Sequence, residues 1–394
     1  MYKLIYGIKM TELYDPFDKE WLRNRYDYYE KIRNLNTAYW SEKYKMYIYV
    51  NYDDVRYILT NPAKFISGKG NLIKEVPERF GRTPGASDGK AHDHMRSIVK
   101  DAYSKSRIDA INEVVRNKTI ELLELEKDSD EIEISDIVRT IAAHMIAETL
   151  NLPFNKNYIA ELLVAIQLYS SWTVLHNHDN TDYDELVAII RDLVSRKVIH
   201  EGDGIYQEFM QKRDKDTSLS LFIGPAISGC YSLISALQFL VINLANEGVL
   251  PELLANRELE SKALDEDLRF TATTGKFRRT VTEPMTLNGI DLKPDDVVGV
   301  CLDAAMRDPK VFPDPNTFNM HRENLAKSTP FGAGPHACAG QAIAKSALGA
   351  FLTPFLDIIG NYEVVTKDFD YIVTASGNND VIDKIFIRRI NSNI

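Results

Sequence analysis

The chain has 394 residues, 44% of them hydrophobic and 26% charged, which suits a globular protein able to bury a large core and enclose a cofactor. With 47 basic against 57 acidic residues the formal net charge is -10, which argues against nucleic acid as the main partner. Three cysteines, Cys230, Cys301 and Cys338, form no disulfide framework and point to a reducing, cytoplasmic setting, and no C-x-x-C or H-x-x-x-H spacing suggests zinc.

The opening MYKLIYGIKM is too short and too charged for a signal peptide or an anchor. Residues 1–14 are expected as an extension of one domain occupying 1–394. The pattern predicts a helix over 19–34, a strand over 45–50, and a helix from Asn51 to Leu59 capped by Asn51. Residues 66–90, rich in glycine, proline and charge, read as a long loop of the kind that carries function. Helical patterns follow at 91–103, 107–126 and 133–150, then over 155–212 around the polar break HNHDNTD.

Residues 217–246 carry no charged side chain. That length could cross a bilayer, but Gly224, Pro225, Gly229, Gln238, Asn243, Asn246 and several serines favour a helix buried on all sides, and no membrane is expected. Another helix ends near Phe270. Short alternating segments at 279–300 read as strands, 307–330 is proline-rich and irregular, 339–358 is helical, and Tyr362 to Arg389 reads as strands. Helices dominate and the strands are short and clustered, so the expected class is mainly α with small β regions.

The densest signal is F-G-A-G-P-H-A-C-A-G over 331–340, followed by a run of good helix formers. A metal-binding thiolate needs its charge stabilised, and the helix start just after Cys338 supplies a positive dipole end. Its sulfur must accept backbone N–H groups, and Gly332, Gly334 and Gly340 let the chain fold tightly round it. Ala337, Ala339 and Gly340 would admit a flat cofactor close to the backbone, and Phe331 could shield the sulfur from water.

This run resembles the haem-binding loop of the cytochrome P-450 superfamily, F-G-x-G-x-H-x-C-x-G. Four further segments resemble family segments in the same order, over about residues 15–390. The resemblance implies a cytochrome P-450 fold, haem b as cofactor, Cys338 as the axial metal ligand, and cofactor contacts from Phe331, Gly332, His336 and Gly340. Glu266-Asp267-Leu268-Arg269 resembles the E-x-x-R motif, whose Glu and Arg share one helix face; Arg322 is the implied third partner in this structural trio. His92-x-x-x-Arg96 resembles the H-x-x-x-R motif that binds haem propionates. Arg279, in R-T-V-T-E-P, and His336 complete an implied cationic cradle, in which arginine grips carboxylates in bidentate fashion. Ala304 to Pro309 resembles the A-N-R-D-P segment and reads as structural.

The sequence departs from the family at the central helix, where A-G-x-(D/E)-T is usual. Here Ser228-Gly229 in the A-G positions puts Tyr231 at the acid and Ser232 at the alcohol; a register shifted by one puts Cys230 and Tyr231 there. Neither supplies a carboxylate. A serine hydroxyl can stand in for threonine, whereas tyrosine is a poor proton shuttle near neutral pH. Packing is the competing reading for Tyr231 and Ser232.

The leading expectation is therefore a monooxygenase acting on a small or medium organic molecule with dioxygen. The alternative is an atypical haem oxidation in a biosynthetic pathway, by aryl coupling, nitrogen-oxide or peroxide-driven chemistry. A catalytically silent recruiter is the third reading, disfavoured by Cys338 and the cradle. Electrons are expected from a separate ferredoxin or flavodoxin, with Lys100, Lys105, Arg107 and Lys345 near the thiolate side. The chain is expected to act as a monomer. Tyr169, Trp172 and Tyr231 hint at an aromatic pocket.

Overall fold

A computed structural model describes residues 12–74, 81, 83–101, 104–149, 215–373, 377 and 380–390. The expected helices over 155–212, with Tyr169, Trp172 and the break HNHDNTD, lie outside the described residues, as does most of the N-terminal extension.

Helix α1 (Lys19–Arg33) starts at Asp18, whose carboxylate accepts the Trp21 N–H at 2.7 Å, and it ends with Lys31 and Arg33, where the helix dipole favours cations. β1 (Tyr39–Ser41) and β2 (Met46–Tyr49) pair antiparallel and lead into α2 (Tyr52–Thr60). Here the structure corrects the expected cap. Asn51 holds the N-cap position, but its side chain makes no capping bond, and Asp308 Oδ2 accepts the Tyr52 N–H at 2.9 Å. A carboxylate brought in by the tertiary fold suits the positive end of a helix better than a neutral amide does.

β3 (Phe65–Ile66), α3 (Gly89–Asp101), α4 (Lys105–Leu125), β4 (Glu131–Glu133) and α5 (Ile134–Thr149) follow. After the undescribed stretch come α6 (Lys215–Asn246), α7 (Leu250–Ala255) and α8 (Glu260–Thr271). Four strands, β5 (Lys276–Val281), β6 (Met285–Leu287), β7 (Ile290–Leu292) and β8 (Val297–Cys301), precede the short α9 (Leu302–Ala305) and the long α10 (Gln341–Ile359). The tail forms β9 (Tyr362–Val364), β10 (Tyr371–Val373), β11 (Asp380–Ile382) and β12 (Phe386–Arg389).

One sheet has the order β1-β2-β8-β5-β3, with β2 and β8 parallel and the other pairs antiparallel. A second joins β4, β12 and β9, and β6-β7 and β10-β11 are separate hairpins. The helical layer packs α10 on α4, α4 on α5, and α5 on α6. Mainly helical architecture with small, clustered sheets is what the sequence predicts.

Both α6, from Ser228, and α10 are long and apolar enough to cross a membrane, but 78% and 56% of those windows are buried inside the fold. Between Cys230 and Leu244 every residue of α6 is buried except Ser232. The uncharged sequence of this helix therefore matches a core helix packed on most sides.

The turn after α8 positions two parts of the site. α8 stops at Ala272, which takes a left-handed φ of 44°. Gly275 then passes so close to α9 that a Cβ there would lie 2.7 Å from the Asp303 side chain. This tight path sets Thr274 beside α6 and starts β5, which carries Arg279.

Candidate functional site

The loop 331–340 closes on itself through the backbone. The Cys338 N–H donates to Phe331 O at 2.8 Å, Gly332 N–H to Thr329 O at 2.9 Å, and Ala337 N–H to Gly334 O at 3.1 Å. Gly332 and Gly334 have φ of 80° and 71°, conformations that side chains disfavour. A Cβ on Gly334 would also fall 2.3 Å from Leu59 O, so the loop rests directly on the end of α2. Gly340 holds the N-cap position of α10, and a Cβ there would stand 3.9 Å from Cys338 Sγ. The Phe331 ring is half-buried against the main core, and it is the Phe331 carbonyl that engages Cys338.

Cys338 is exposed, whereas Cys230 and Cys301 are buried. The protein packed round its other sides raises the Cys338 thiol pKa, opposed by the Gly340 N–H and the Arg96 charge. Both opposing groups favour a thiolate, and a metal on the sulfur would add to them.

Above the loop the structure brings His92, His336 and Arg279 together. The two imidazole rings lie 4.3 Å apart, centre to centre. His92 is 4% exposed; its Nδ1 meets Asp93 at 2.9 Å, while its buried Nε2 has no hydrogen-bond partner. Arg279 is 5% exposed and donates to Arg278 O at 2.7 Å. Burial lowers its pKa to about 10, with Asp88 pulling the other way. Among the described residues no carboxylate lies within ion-pair distance of Arg279 or Arg96.

Asp88, to which the sequence assigned no role, faces this cluster. It accepts the N–H groups of Ser67 and Gly68 at 2.9 and 2.6 Å, and His336 Nε2 stands 3.7 Å away. Burial alone would raise its carboxyl pKa, but His336 and the two amides hold it below the usual range. Burial lowers the His336 pKa, and Arg279 and His92 add to that against Asp88.

Behind the loop, Glu266 is completely buried and completely used. It meets Arg269 through two contacts of 2.8 Å, Arg322 Nε at 3.2 Å, and the Asn319 N–H at 2.9 Å. Arg269 also donates to Met306 O and Pro315 O, and Arg322 to Pro313 O, Asp314 O and Thr317 O. Burying these charges is tolerable because every one finds partners.

On α6, Tyr231 is 2% exposed and Cys230 is buried; both belong to the main core, and burial raises the Cys230 thiol. Ser232 is half-buried. Its hydroxyl donates to Ser228 O at 2.7 Å and lies 3.0 Å from Thr274 Oγ1. The sequence carried no sign of Thr274, since its partner is 42 residues away.

The buried unpaired Nε2 of His92, the buried Arg279 and the accessible sulfur of Cys338 fit a flat, doubly anionic cofactor held through its metal. Comparison with known proteins agrees. The family model described as Cytochrome P450 matches residues 245–372. Pulcherriminic acid synthase of Bacillus subtilis is 24% identical over 91% of this chain and 94% of its own. Cytochrome P450(MEG) of Priestia megaterium is 28% identical over 80% of this chain and 82% of its own. The fold matches a solved structure of CYP109E1 from Bacillus megaterium in complex with testosterone, with a TM-score of 0.83, 21% identity, and coverage of 96% of this chain and 100% of the other. The chain is thus similar to members of the cytochrome P450 superfamily in sequence over most of its length, and its fold is theirs.

Proposed function

We propose that this chain is a cytochrome P450 that inserts one atom of dioxygen into a small or medium organic molecule, with Cys338 as the thiolate that would hold the iron of haem b. The accessible thiol at the start of α10, facing the Gly340 amide and the Arg96 charge, carries the assignment. His92, Arg96, Arg279 and His336 would hold the two propionates by charge-assisted hydrogen bonds. Phe331, Gly332 and Gly340 shape the loop that presents the Cys338 sulfur. Haem held by this thiolate would supply the oxidising chemistry, the sulfur donating electron density to the iron. Glu266, Arg269 and Arg322 fix the segment that leads into the loop. Ser232, on the accessible face of α6, is the hydroxyl that hands over protons, and Tyr231 packs.

A single domain over 1–394, acting as a cytoplasmic monomer, takes its electrons from a separate ferredoxin or flavodoxin. Lys100 and Lys105, both exposed, with Arg107 and Lys345 offer the basic face for that acidic donor. Lys345 is 2.6 Å from Asp265, so its charge is partly answered within the chain.

A second reading keeps the haem and changes the outcome to an atypical oxidation. Its support is the stretch Ser228–Ser232, which brings no carboxylate to the site. Candidate substrates are to be found by the shift of the haem spectrum on binding, then turned over under isotopically labelled dioxygen. Monooxygenation predicts one labelled oxygen in the product. A product without labelled oxygen would move the assignment to the second reading.

A further inference from the structure

We propose that Thr274 is a positioning residue for Ser232, and that the two hydroxyls together replace the adjacent acid and alcohol that the family usually carries on this helix. The inference rests on the function proposed above. Two observations carry it. The first is accessibility: along Cys230–Leu244 only Ser232 escapes burial, and Ser228, one turn earlier, is exposed. Residues four apart share a helix face, so the two accessible serines lie on one face of α6. The second is the contact between the two hydroxyls.

A serine inside a helix commonly bonds back to the carbonyl four residues earlier, and Ser232 does so with Ser228 O at 2.7 Å. That bond takes its one proton. Either hydroxyl can donate in the 3.0 Å contact between them, and with the Ser232 proton on Ser228 O the donor is Thr274 O–H. Thr274 thereby fixes the Ser232 oxygen as an acceptor and stands behind it as a proton source. Its own place is set by the turn from Ala272 through Gly275, a path that leaves no room for a side chain at Gly275.

The proton bookkeeping closes. Ser232 O–H turns from Ser228 O towards the bound reactant and gives up its proton. The Thr274 proton moves to Ser232 Oγ, restoring that hydroxyl. A hydrated proton from solvent then restores Thr274. No group changes oxidation state, and one proton passes from solvent to reactant.

The test uses the haem-loaded protein reduced under carbon monoxide. The C–O stretching band reports hydrogen-bond donors near the bound gas and requires no turnover. Ser232→Ala and the isosteric Thr274→Val should each move the band to higher frequency. The double variant should move it no further than the larger single shift, and Thr274→Ser should return it to the wild-type position. With substrate, Thr274→Val should also raise the share of reducing equivalents released as peroxide. A red-shifted Soret band with the C–O band unmoved in Thr274→Val overturns this inference alone, as do independent, additive shifts. A wild-type carbonyl complex lacking the red-shifted Soret band overturns the Cys338 assignment and takes this inference with it.

Discussion

Two buried groups of basic side chains, one round Glu266 and one round Arg279, are built differently. Around Glu266 every charge is answered: Arg269 and Arg322 share its carboxylate, and their remaining N–H groups reach backbone carbonyls. Around Arg279 the balance is incomplete. His92 keeps a buried nitrogen without a partner, and the carboxylate facing the cluster, Asp88, is already engaged by two amides. A closed network serves the fold, whereas one with cationic capacity to spare serves a ligand. The contrast separates residues that hold the protein together from those proposed to hold the haem.

The largest effect should come from breaking the closed group. Glu266→Gln leaves Arg269 buried without its counter-charge, a change that costs about 3–5 kcal/mol in comparable cases. Chemical unfolding of the haem-free protein should show that loss. The open group predicts the opposite pattern. Arg279→Ala should barely change haem-free stability, because burial there already works against the charge.

A smaller effect involves pH. Asp267, next to Glu266, has its pKa pushed up to about 7 by burial and by the Glu266 charge, against the Asn243 amide at 2.6 Å. The folded state thus holds a proton that the unfolded chain releases near pH 4. The resulting stability is complete below about pH 4 and is lost as pH rises to about 7, at no more than about 1.4 kcal/mol per pH unit. Asp267→Asn should flatten that slope in unfolding curves taken across the window. An unchanged slope would place the titration elsewhere.

The smallest of these effects concerns cofactor retention. Arg279→Ala and Arg96→Ala each remove a charge-assisted contact worth about 1.5–3 kcal/mol, or roughly ten- to a hundredfold in retention. Transfer of haem to an apo-globin acceptor measures it. Wild-type loss rates in both variants would mean that the open group is not a propionate site.

What the sequence made legible was local or carried by motif. The loop 331–340 could be read because its glycines stand where the backbone needs positive φ and close approach, as at Gly334 against Leu59. Glu266 and Arg269 could be read because three residues bring side chains to one helix face. What stayed hidden depends on distant segments meeting. Asp308 caps α2 from 256 positions away. Thr274 reaches Ser232 only after a left-handed turn at Ala272. Lys276 is wholly buried between Asp303 and Asp380, at 3.3 and 3.0 Å, with Arg25 3.3 Å from Asp380, and no periodicity in any one segment announces that meeting.

The most direct test of the central claim is the absorption spectrum of the reduced, carbon monoxide-bound protein, wild type beside Cys338→Ala. Thiolate ligation by Cys338 predicts a red-shifted Soret band in the wild type and its disappearance in the variant, even where haem is retained. A red-shifted band that survives Cys338→Ala would contradict the account.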